Sequence, residues 1–272
     1  MATYQDSRYN IALPSGAGGS LVHIKTIAAS SDSTISFVDG TSDVVLDNTY
    51  RTYIFKNQVK LFYPSKSISL YPSVHHVSPN FNISSSLIFI LDIIPLQYPE
   101  KYDSLVLDDW NKKFSKIIIS AKYLYTISKT SKFNVESFFQ RADVSIIYPG
   151  INHLSTQYQN GSHFSSPASD YFVFLGSTSA NKNIESILKE INYIDNKISI
   201  IVIGDSSSIA NNFTNSRIHF MGFVSEKKKE FLLENSMFMV CPSISEGFGF
   251  AQFEAAKYKK PSIMSNIDIY KE

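Results

Sequence analysis

The chain has 272 residues, of which 43% are hydrophobic and 18% are charged. This composition excludes a disordered chain and suits one large or two compact folded domains. Its 25 basic and 24 acidic residues leave a formal charge of +1, so we expect no nucleic-acid partner. The single cysteine, Cys241, excludes an internal disulfide framework and a multi-cysteine zinc site.

The sequence gives no indication of a targeting segment or a membrane span. The first residues lack both a basic region and an apolar stretch. The most apolar run, at residues 87–96, is shorter than the roughly 20 residues that a span needs, and it contains Asp92. We therefore expect a cytoplasmic protein, with peripheral association at the membrane surface as an alternative.

Short apolar or aromatic runs alternate with amphipathic segments along the chain. The runs predict strands at residues 35–38, 87–91, 123–128, 145–148, 171–175, 198–203, 217–220, 237–240 and 262–264. The amphipathic segments predict helices at residues 21–29, 105–120, 183–194, 227–235 and 250–258. Strands that alternate with helices indicate α/β domains whose parallel sheets are covered on both faces.

A polar stretch rich in serine, glycine and proline interrupts this alternation at residues 158–170. It predicts two doubly wound, Rossmann-like domains, at residues 1–160 and 165–272. Few residues follow the predicted strand at 262–264, so we expect the second domain to be incomplete. An incomplete domain should expose an apolar patch around its last strands, which would favour self-association.

The sharpest chemical signal lies at residues 243–256, where a loop follows a buried strand and a helix opens near Phe250. Ligands bind outside the carboxyl ends of parallel strands, and a helix start attracts anions. Gly249 would let the backbone approach a phosphate. Glu246 and Glu254 flank this anion site, where a carboxylate is tolerated if it faces neutral donors such as hydroxyls. The pattern favours a nucleotide sugar, which has hydroxyl groups at both ends and phosphates between them.

The same segment resembles the E-x7-E motif of retaining glycosyltransferases with the GT-B fold, of the family 4 (group 1) type. Glu246 and Glu254 have the spacing of that motif. The segments that resemble the donor domain of this family are residues 172–183, 200–204, 218–224 and 259–265. Those that resemble its other domain, more loosely, are residues 6–8, 15–19, 91–100, 126–128 and 147–151.

This resemblance implies transfer of a sugar, with retention, from a nucleotide diphosphate sugar such as GDP-mannose or a UDP-sugar. The acceptor would be a glycan or lipid-linked glycan in polysaccharide biosynthesis. Residues 1–160 would form the acceptor-side domain and residues 165–272 a partial donor-binding domain. No cofactor and no metal are expected, because the sequence has no Asp-x-Asp and no cluster of His or Cys ligands.

The resemblance also implies roles for individual residues. Lys182 would pair with the donor diphosphate as a cation, and Glu254 would accept hydrogen bonds from the ribose hydroxyls. Glu246 would hold hydroxyls of the transferred sugar at the catalytic centre, with Asp92 as the second catalytic candidate. The remaining donor-binding residues are Gly249 and Phe250 at the diphosphate, Gly222 and Val224 near the base, and Gly18 and Gly19 approaching from the other domain.

Two departures from the family pattern leave a second hypothesis open. Leu91 stands where the family usually has a histidine before Asp92, and Ser177 stands where an arginine often follows the donor-loop glycine. Phosphate neutralisation would then depend on Lys182 alone. The alternative is a nucleotide-sugar-binding remnant without catalysis. A dinucleotide-dependent oxidoreductase is disfavoured, because no G-x-G-x-x-G follows a predicted strand.

Overall fold

A computed structural model describes residues 10–11, 69–71, 73–77, 86–149 and 164–272. The chain divides into two compact units, Met1–His153 and Leu154–Glu272. The predicted helix at 21–29, the predicted strand at 35–38 and the loop with Gly18 and Gly19 lie outside the described residues.

The first unit contains a parallel sheet whose described strands follow the chain order, β1-β2-β3-β4-β5. These strands are β1 (Asn10–Ile11), β2 (Ser69–Tyr71), β3 (Ser86–Ile90), β4 (Tyr123–Thr126) and β5 (Val144–Ile146). The helices are α1 (Ile94–Gln97), α2 (Ser104–Asp109), α3 (Ser115–Ser120) and α4 (Lys129–Phe139), and a π-helical turn, Trp110–Phe114, joins α2 to α3. Ile88, Ile90 and Leu124 form the buried core of this sheet together with Trp110 and Ile118.

The second unit contains a parallel sheet with the strand order β10-β9-β6-β7-β8. Its strands are β6 (Tyr171–Leu175), β7 (Ser199–Ile203), β8 (Ile218–Gly222), β9 (Met239–Cys241) and β10 (Ser262–Met264). Its helices are α5 (Ile184–Lys189), α6 (Glu226–Glu234), α7 (Phe250–Lys257) and α8 (Asp268–Lys271), and a short 3-10 turn, Ile191–Tyr193, follows α5.

The central strand β6 has a buried core on each of its faces. Phe172 and Phe174 pack with Ile184 of α5 in one core. Tyr171 and Val173 lie in the other core, with the apolar side chains of α6 and α7. Because successive side chains of a strand point to opposite faces, a strand covered on both sides is apolar at every position. Full burial of each such side chain contributes about 1.5–3 kcal/mol.

The strand order places a topological switch point between β6 and β9. The chain proceeds from β6 to β7 and β8 on one side, then returns to β9 and β10 on the other side of β6. The helix α5 packs on one face of the sheet and α7 on the opposite face. The connections after β6 and β9 therefore leave neighbouring strands in opposite directions, and this divergence opens the crevice where α/β sheets bind ligands.

The strand β10 lies at the edge of the described sheet. Its side chains Ile263 and Met264 are 60% and 41% exposed. After β10 the chain forms α8, whose Tyr270 packs back onto the core beneath α7.

Candidate functional site

Lys182 and Glu246 form an ion pair at the switch point. The loop after β6 carries Lys182 and the loop after β9 carries Glu246, and Nζ lies 2.6 Å from Oε1. The two side chains are 24% and 11% exposed, so water screens the pair only in part. Ser243 Oγ donates to the same carboxylate oxygen at 2.7 Å. The structure thus brings together the cation predicted for the phosphate and the carboxylate predicted for the sugar.

Two asparagines fasten these loops to each other. The backbone oxygen of Asn181 accepts from the N–H of Ile244 at 2.8 Å, and its side-chain amide donates to the oxygen of Ser245 at 3.2 Å. The amide of Asn183 donates to the oxygen of Pro242 at 3.2 Å. The backbone of Asn183 has the left-handed conformation, with a φ of 51°. Asparagine tolerates this conformation better than most residues do. These bonds therefore connect the loop that carries Lys182 to the loop that carries Glu246.

The helix α7 starts at a glycine cap beside the ion pair. Gly249 has a φ of 80° and a ψ of 51°, and no side chain caps the helix start. A Cβ at this position would lie 2.8 Å from Cε1 of Tyr270. Glycine is thus required twice, by the left-handed backbone and by the closeness of the ring. A helix start carries a partial positive charge, which favours an anion.

The second glutamate, Glu254, pairs with a lysine on the neighbouring helix. Lys229 of α6 places Nζ 2.6 Å from Oε2 of Glu254 and 2.9 Å from Oε2 of Glu226. The side chains of Lys229 and Glu254 are each 17% exposed. Burial by itself lowers the pKa of Lys229, but Glu254 and then Glu226 outweigh it and raise the pKa above its usual value. One carboxylate oxygen of Glu254, the residue predicted to accept from a ribose, is therefore already bonded to Lys229.

A second ion pair links α6 and α7 in the opposite sense. Lys257 of α7 lies 3.4 Å from Glu230 of α6, and both side chains are 13% exposed. Each helix therefore contributes one lysine and one glutamate to the contact, which fixes how α7 is rotated about its axis. The position of Glu254 depends on this rotation.

Tyr270 of α8 packs beside the loop that carries Glu246. Its ring lies against Gly249, where a Cβ would approach Cε1 to 2.8 Å, and against the core beneath α7. Burial, and then the negative charge of Glu246, raise the pKa of Tyr270, so this hydroxyl is a neutral donor at neutral pH. The same two causes raise the pKa of Cys241 to about 11, which keeps the thiol protonated.

The residues predicted to contact the nucleotide base lie at the end of β8. Gly222 is the last residue of this strand, with a φ of 59°, and its oxygen accepts from the N–H of Gly204 at 2.9 Å. Val224 is half-buried against the core beneath α6 and α7. Phe250 is the first residue of α7, and its ring lies 4.9 Å from that of Phe248. The nearby Phe223 is 78% exposed.

In the first unit, Asp92 lies just after the carboxyl end of β3. Its Oδ1 accepts from the backbone N–H of Ile94 at 3.1 Å, at the start of α1. The preceding Leu91 offers its backbone oxygen to Ser131 Oγ at 2.8 Å. Asp92 therefore has a local structural role in the unit that was predicted to hold the acceptor.

Three residues of the site have no role in the sequence prediction. Ser243 lies inside the recognised segment, but only the structure shows its bond to Glu246. Lys229 looks like one of several surface charges in the run 226–230. Tyr270 is carried by a helix of four residues, which is too short for a periodic pattern. The one usable signal is that Tyr270 follows the carboxyl end of a predicted strand.

Two searches of the described ranges complete the account of the site. Among residues 86–149 and 164–272, with the shorter described segments, no group of three or more His, Cys, Asp or Glu side chains is placed to hold a metal ion. None of the helices in the described part of the chain combines the length and apolar character needed to cross a bilayer.

The second unit is similar to a known family. Residues 169–272 match the family described as Glycosyl transferases group 1. The O-antigen chain mannosyltransferase RfbU of Salmonella typhimurium is 26% identical over 214 residues, which cover 74% of this chain and 57% of RfbU. The predicted resemblance to group 1 glycosyltransferases is confirmed. The chain spans little more than half the length of this relative.

Solved structures show the fold. Sucrose-phosphate synthase from Thermosynechococcus elongatus aligns with a TM-score of 0.58 at 14% identity, covering 74% of this chain and 56% of that one. HepE from Anabaena, in complex with UDP and glucose, aligns with a TM-score of 0.54 at 15% identity, covering 75% and 60%. The predicted fold class, GT-B-like with parallel Rossmann-like sheets, is confirmed by these structures together with the two observed sheets.

Proposed function

We propose that this chain takes part in glycosyl transfer from a nucleotide diphosphate sugar to a glycan acceptor, and that the second unit binds the donor. One observation carries the proposal. The ion pair of Lys182 and Glu246 lies at the switch point of a parallel sheet, beside the glycine-capped start of α7. A cation, a helix start and a carboxylate in this order suit a ligand with a diphosphate next to a hydroxyl-rich sugar.

Donor binding would exchange the partners of this ion pair. A diphosphate carries more negative charge than one carboxylate, so Lys182 would turn from Glu246 toward the diphosphate. Glu246 would then accept hydrogen bonds from hydroxyls of the transferred sugar. Lys182 and the start of α7 would stabilise the charge that develops on the leaving diphosphate.

We further propose transfer with retention, in which the leaving phosphate accepts the proton of the acceptor hydroxyl on the same face of the sugar. This route needs no protein nucleophile. The name of RfbU, a mannosyltransferase of the O-antigen chain, supports GDP-mannose as donor and a surface glycan, free or lipid-linked, as acceptor. The UDP and glucose bound to HepE support a UDP-sugar.

Binding and transfer are measured on the same purified chain. Calorimetry with UDP, GDP and ADP identifies the base, and the matching nucleotide sugars then serve as donors in an assay for released nucleoside diphosphate. We expect one diphosphate to bind at least tenfold more tightly than the other two. Wild-type protein that binds none of them, while its circular dichroism shows a folded α/β protein, would overturn the proposal.

A second candidate function is nucleotide-sugar binding without transfer. Leu91 in place of a histidine and the structural bond of Asp92 to Ile94 N–H favour it. The two functions separate in the assay above, because a binding protein gives calorimetric heat but no released diphosphate with any acceptor glycan. Leu91→His separates the two functions further. Transfer that appears in this variant and not in the wild-type chain would show that the wild-type chain binds the donor without catalysis.

A further inference from the structure

Two kinds of bond join the loop after β6 to the loop after β9. One is the ion pair of Lys182 and Glu246, at 2.6 Å. The others are hydrogen bonds between uncharged groups, made by Asn181 and Asn183, the residues on either side of Lys182. Their partners are backbone groups in residues 242–245. These neutral hydrogen bonds form a loop clamp beside the ion pair.

The side chain of Asn181 is held at both ends of its amide. It is 8% exposed. Nδ2 donates to the oxygen of Ser245 at 3.2 Å, and Oδ1 accepts from Ser179 Oγ at 2.9 Å. A backbone oxygen can only accept, so the amide nitrogen must face Ser245. Because Ser245 immediately precedes Glu246, this bond fixes the loop one residue away from the carboxylate.

The ion pair and the loop clamp differ in how they respond to a ligand. A diphosphate would attract Lys182 away from Glu246, because it carries more negative charge. The amides of Asn181 and Asn183 have no net charge and keep their backbone partners. Lys182 reaches the ligand through a flexible four-carbon stem, so its ammonium tolerates a small shift of its loop. The carboxylate of Glu246 is on a shorter side chain and depends more on where its loop lies.

We propose that Asn181 and Asn183 are positioning residues, and that the loop clamp keeps Glu246 at the distance from the diphosphate that the transferred sugar requires, once the ion pair has opened. This inference rests on the proposed function, because that function supplies both the diphosphate and the sugar. A nucleotide sugar carries the two groups at a fixed spacing. Its affinity should therefore depend on the clamp more than the affinity of the diphosphate does.

Asn181→Ala and Asn183→Gly test the proposal by calorimetry on the full chain. Glycine keeps the left-handed backbone at position 183 and removes only the amide. The probes are UDP, GDP, UDP-glucose and GDP-mannose, and the measured quantity is the ratio of Kd for the nucleotide sugar to Kd for its diphosphate. We expect this ratio to rise about fivefold in Asn181→Ala and about threefold in Asn183→Gly, as for lost hydrogen bonds between neutral groups. Kd for the diphosphate should change by less than about twofold, and an unchanged ratio in both variants would overturn the proposal.

Asn235→Ala is the matched control. The amide of Asn235 donates to the oxygen of Phe231 at 2.8 Å, at the C-terminal end of α6. This variant loses the same type of bond, from a side-chain amide to a backbone oxygen, outside the two loops. It should leave the ratio of the two Kd values unchanged. A rise equal to that of Asn181→Ala would show a general loss of stability and would contradict the positioning role.

Hydrogen exchange at the Ile244 N–H examines the loop clamp without any donor, because this group donates to the oxygen of Asn181 at 2.8 Å. In Lys182→Met the exchange rate should stay within about twofold of the wild-type rate, since the neutral bonds remain. In Asn181→Ala and Asn183→Gly it should rise about fivefold, because the loops separate more easily. If Lys182→Met accelerates exchange as much as the asparagine variants do, the ion pair holds the loops together and the proposal fails.

The failure of this proposal and that of the proposed function give different results. If the wild-type chain binds no probe, the proposed function fails and the positioning role fails with it, while the exchange rates still show whether the clamp joins the loops. If the wild-type chain binds the probes and the ratio is unchanged in both asparagine variants, only the positioning role fails.

Discussion

The two glutamates of the E-x7-E segment both form ion pairs of 2.6 Å, but their lysines come from different kinds of structure. Lys182 lies on a loop, and in the described residues its ion pair is with one carboxylate, that of Glu246. Lys229 lies in a helix between two carboxylates, Glu254 and Glu226. We expect the first lysine to exchange its partner for a phosphate and the second to stay in place. On this expectation, Glu246 belongs to an exchangeable ion pair and Glu254 to a fixed one.

The largest expected effect comes from removing the exchangeable lysine. Lys182→Met should lower transfer about 100- to 1000-fold, because it deletes a charged group that stabilises the leaving diphosphate. Nucleoside diphosphate affinity should fall about tenfold or more. Lys189→Met is the control, since Lys189 forms an exposed pair with Glu185 on α5, which contributes little. Equal effects of the two variants in the assay and in calorimetry would contradict the assignment of Lys182.

The fixed pair should respond differently. Glu254→Gln should weaken nucleoside diphosphate binding about tenfold and also lower Tm, because Lys229 would keep only the exposed Glu226 as a charged partner. Glu254→Ala would remove the hydrogen bond as well and should cost more stability.

Glu230→Gln is the control for this pair, since it weakens the other link between α6 and α7. It should lower Tm without the tenfold loss of affinity in calorimetry. If Glu254→Gln and Glu230→Gln bind nucleoside diphosphate with the same affinity, Glu254 only links α6 to α7 and does not bind the nucleotide.

The third prediction concerns the glycine between the two glutamates. Gly249→Ala should lower Tm by about 4–8 °C, because it combines left-handed strain with a clash against Tyr270. Gly222→Ala has similar backbone strain at a φ of 59°, but nothing lies within 4 Å of the added Cβ. The fall in Tm for this variant should therefore be about half as large. Equal falls in Tm in differential scanning calorimetry would show that the Tyr270 ring moves away from the added Cβ at little cost.

The fourth prediction is a loss of stability at alkaline pH. The pKa values of Tyr270 and Tyr258 are raised by burial and nearby carboxylates from 10.0, and that of Cys241 is raised from 9.0. A group whose pKa is higher in the folded state stabilises it fully below the unfolded value, and that stability is lost as the pH rises. Tm should be constant from about pH 7 to 9 and fall by several degrees by about pH 11.

Tyr270→Phe and Tyr258→Phe should each reduce this alkaline fall. The first variant tests the tyrosine whose pKa is raised by Glu246, and the second tests the tyrosine whose pKa is raised by Glu230 and Glu254. A Tm profile that is unchanged in both variants would show that other groups cause the fall.

The smallest expected effect is that of chelation. Transfer should be unchanged in excess EDTA, because Lys182 and the start of α7 supply the positive charge for the diphosphate. A loss of activity that manganese or magnesium restores would contradict this expectation.

The sequence predicted most of the second sheet but few of its side-chain partners. The predicted bounds of β6 and β10 match the structure residue for residue, since β6 is an apolar run between Asp170 and Gly176, and β10 is a short segment between Pro261 and Ser265. The helix α4 was missed, because its segment is largely polar, and of its apolar side chains Phe133 and Phe138 are 69% and 49% exposed.

The pairing of Lys182 with Glu246 follows from the order of parallel strands, which a strand–helix alternation does not specify. Lys229 meets Glu254 only because of the way α6 and α7 are rotated against each other. Such contacts depend on tertiary packing, which local pattern does not encode. Tyr270 was missed for the same reason.

The buried thiol beneath the ion pair has a practical consequence for labelling. Cys241 is the single cysteine of the sequence, it is 5% exposed, and its pKa of about 11 leaves very little thiolate at neutral pH. A maleimide dye should therefore react with a cysteine introduced at the exposed Tyr193 and spare the native thiol. Fluorophores could then be attached one at a time to an otherwise unaltered chain.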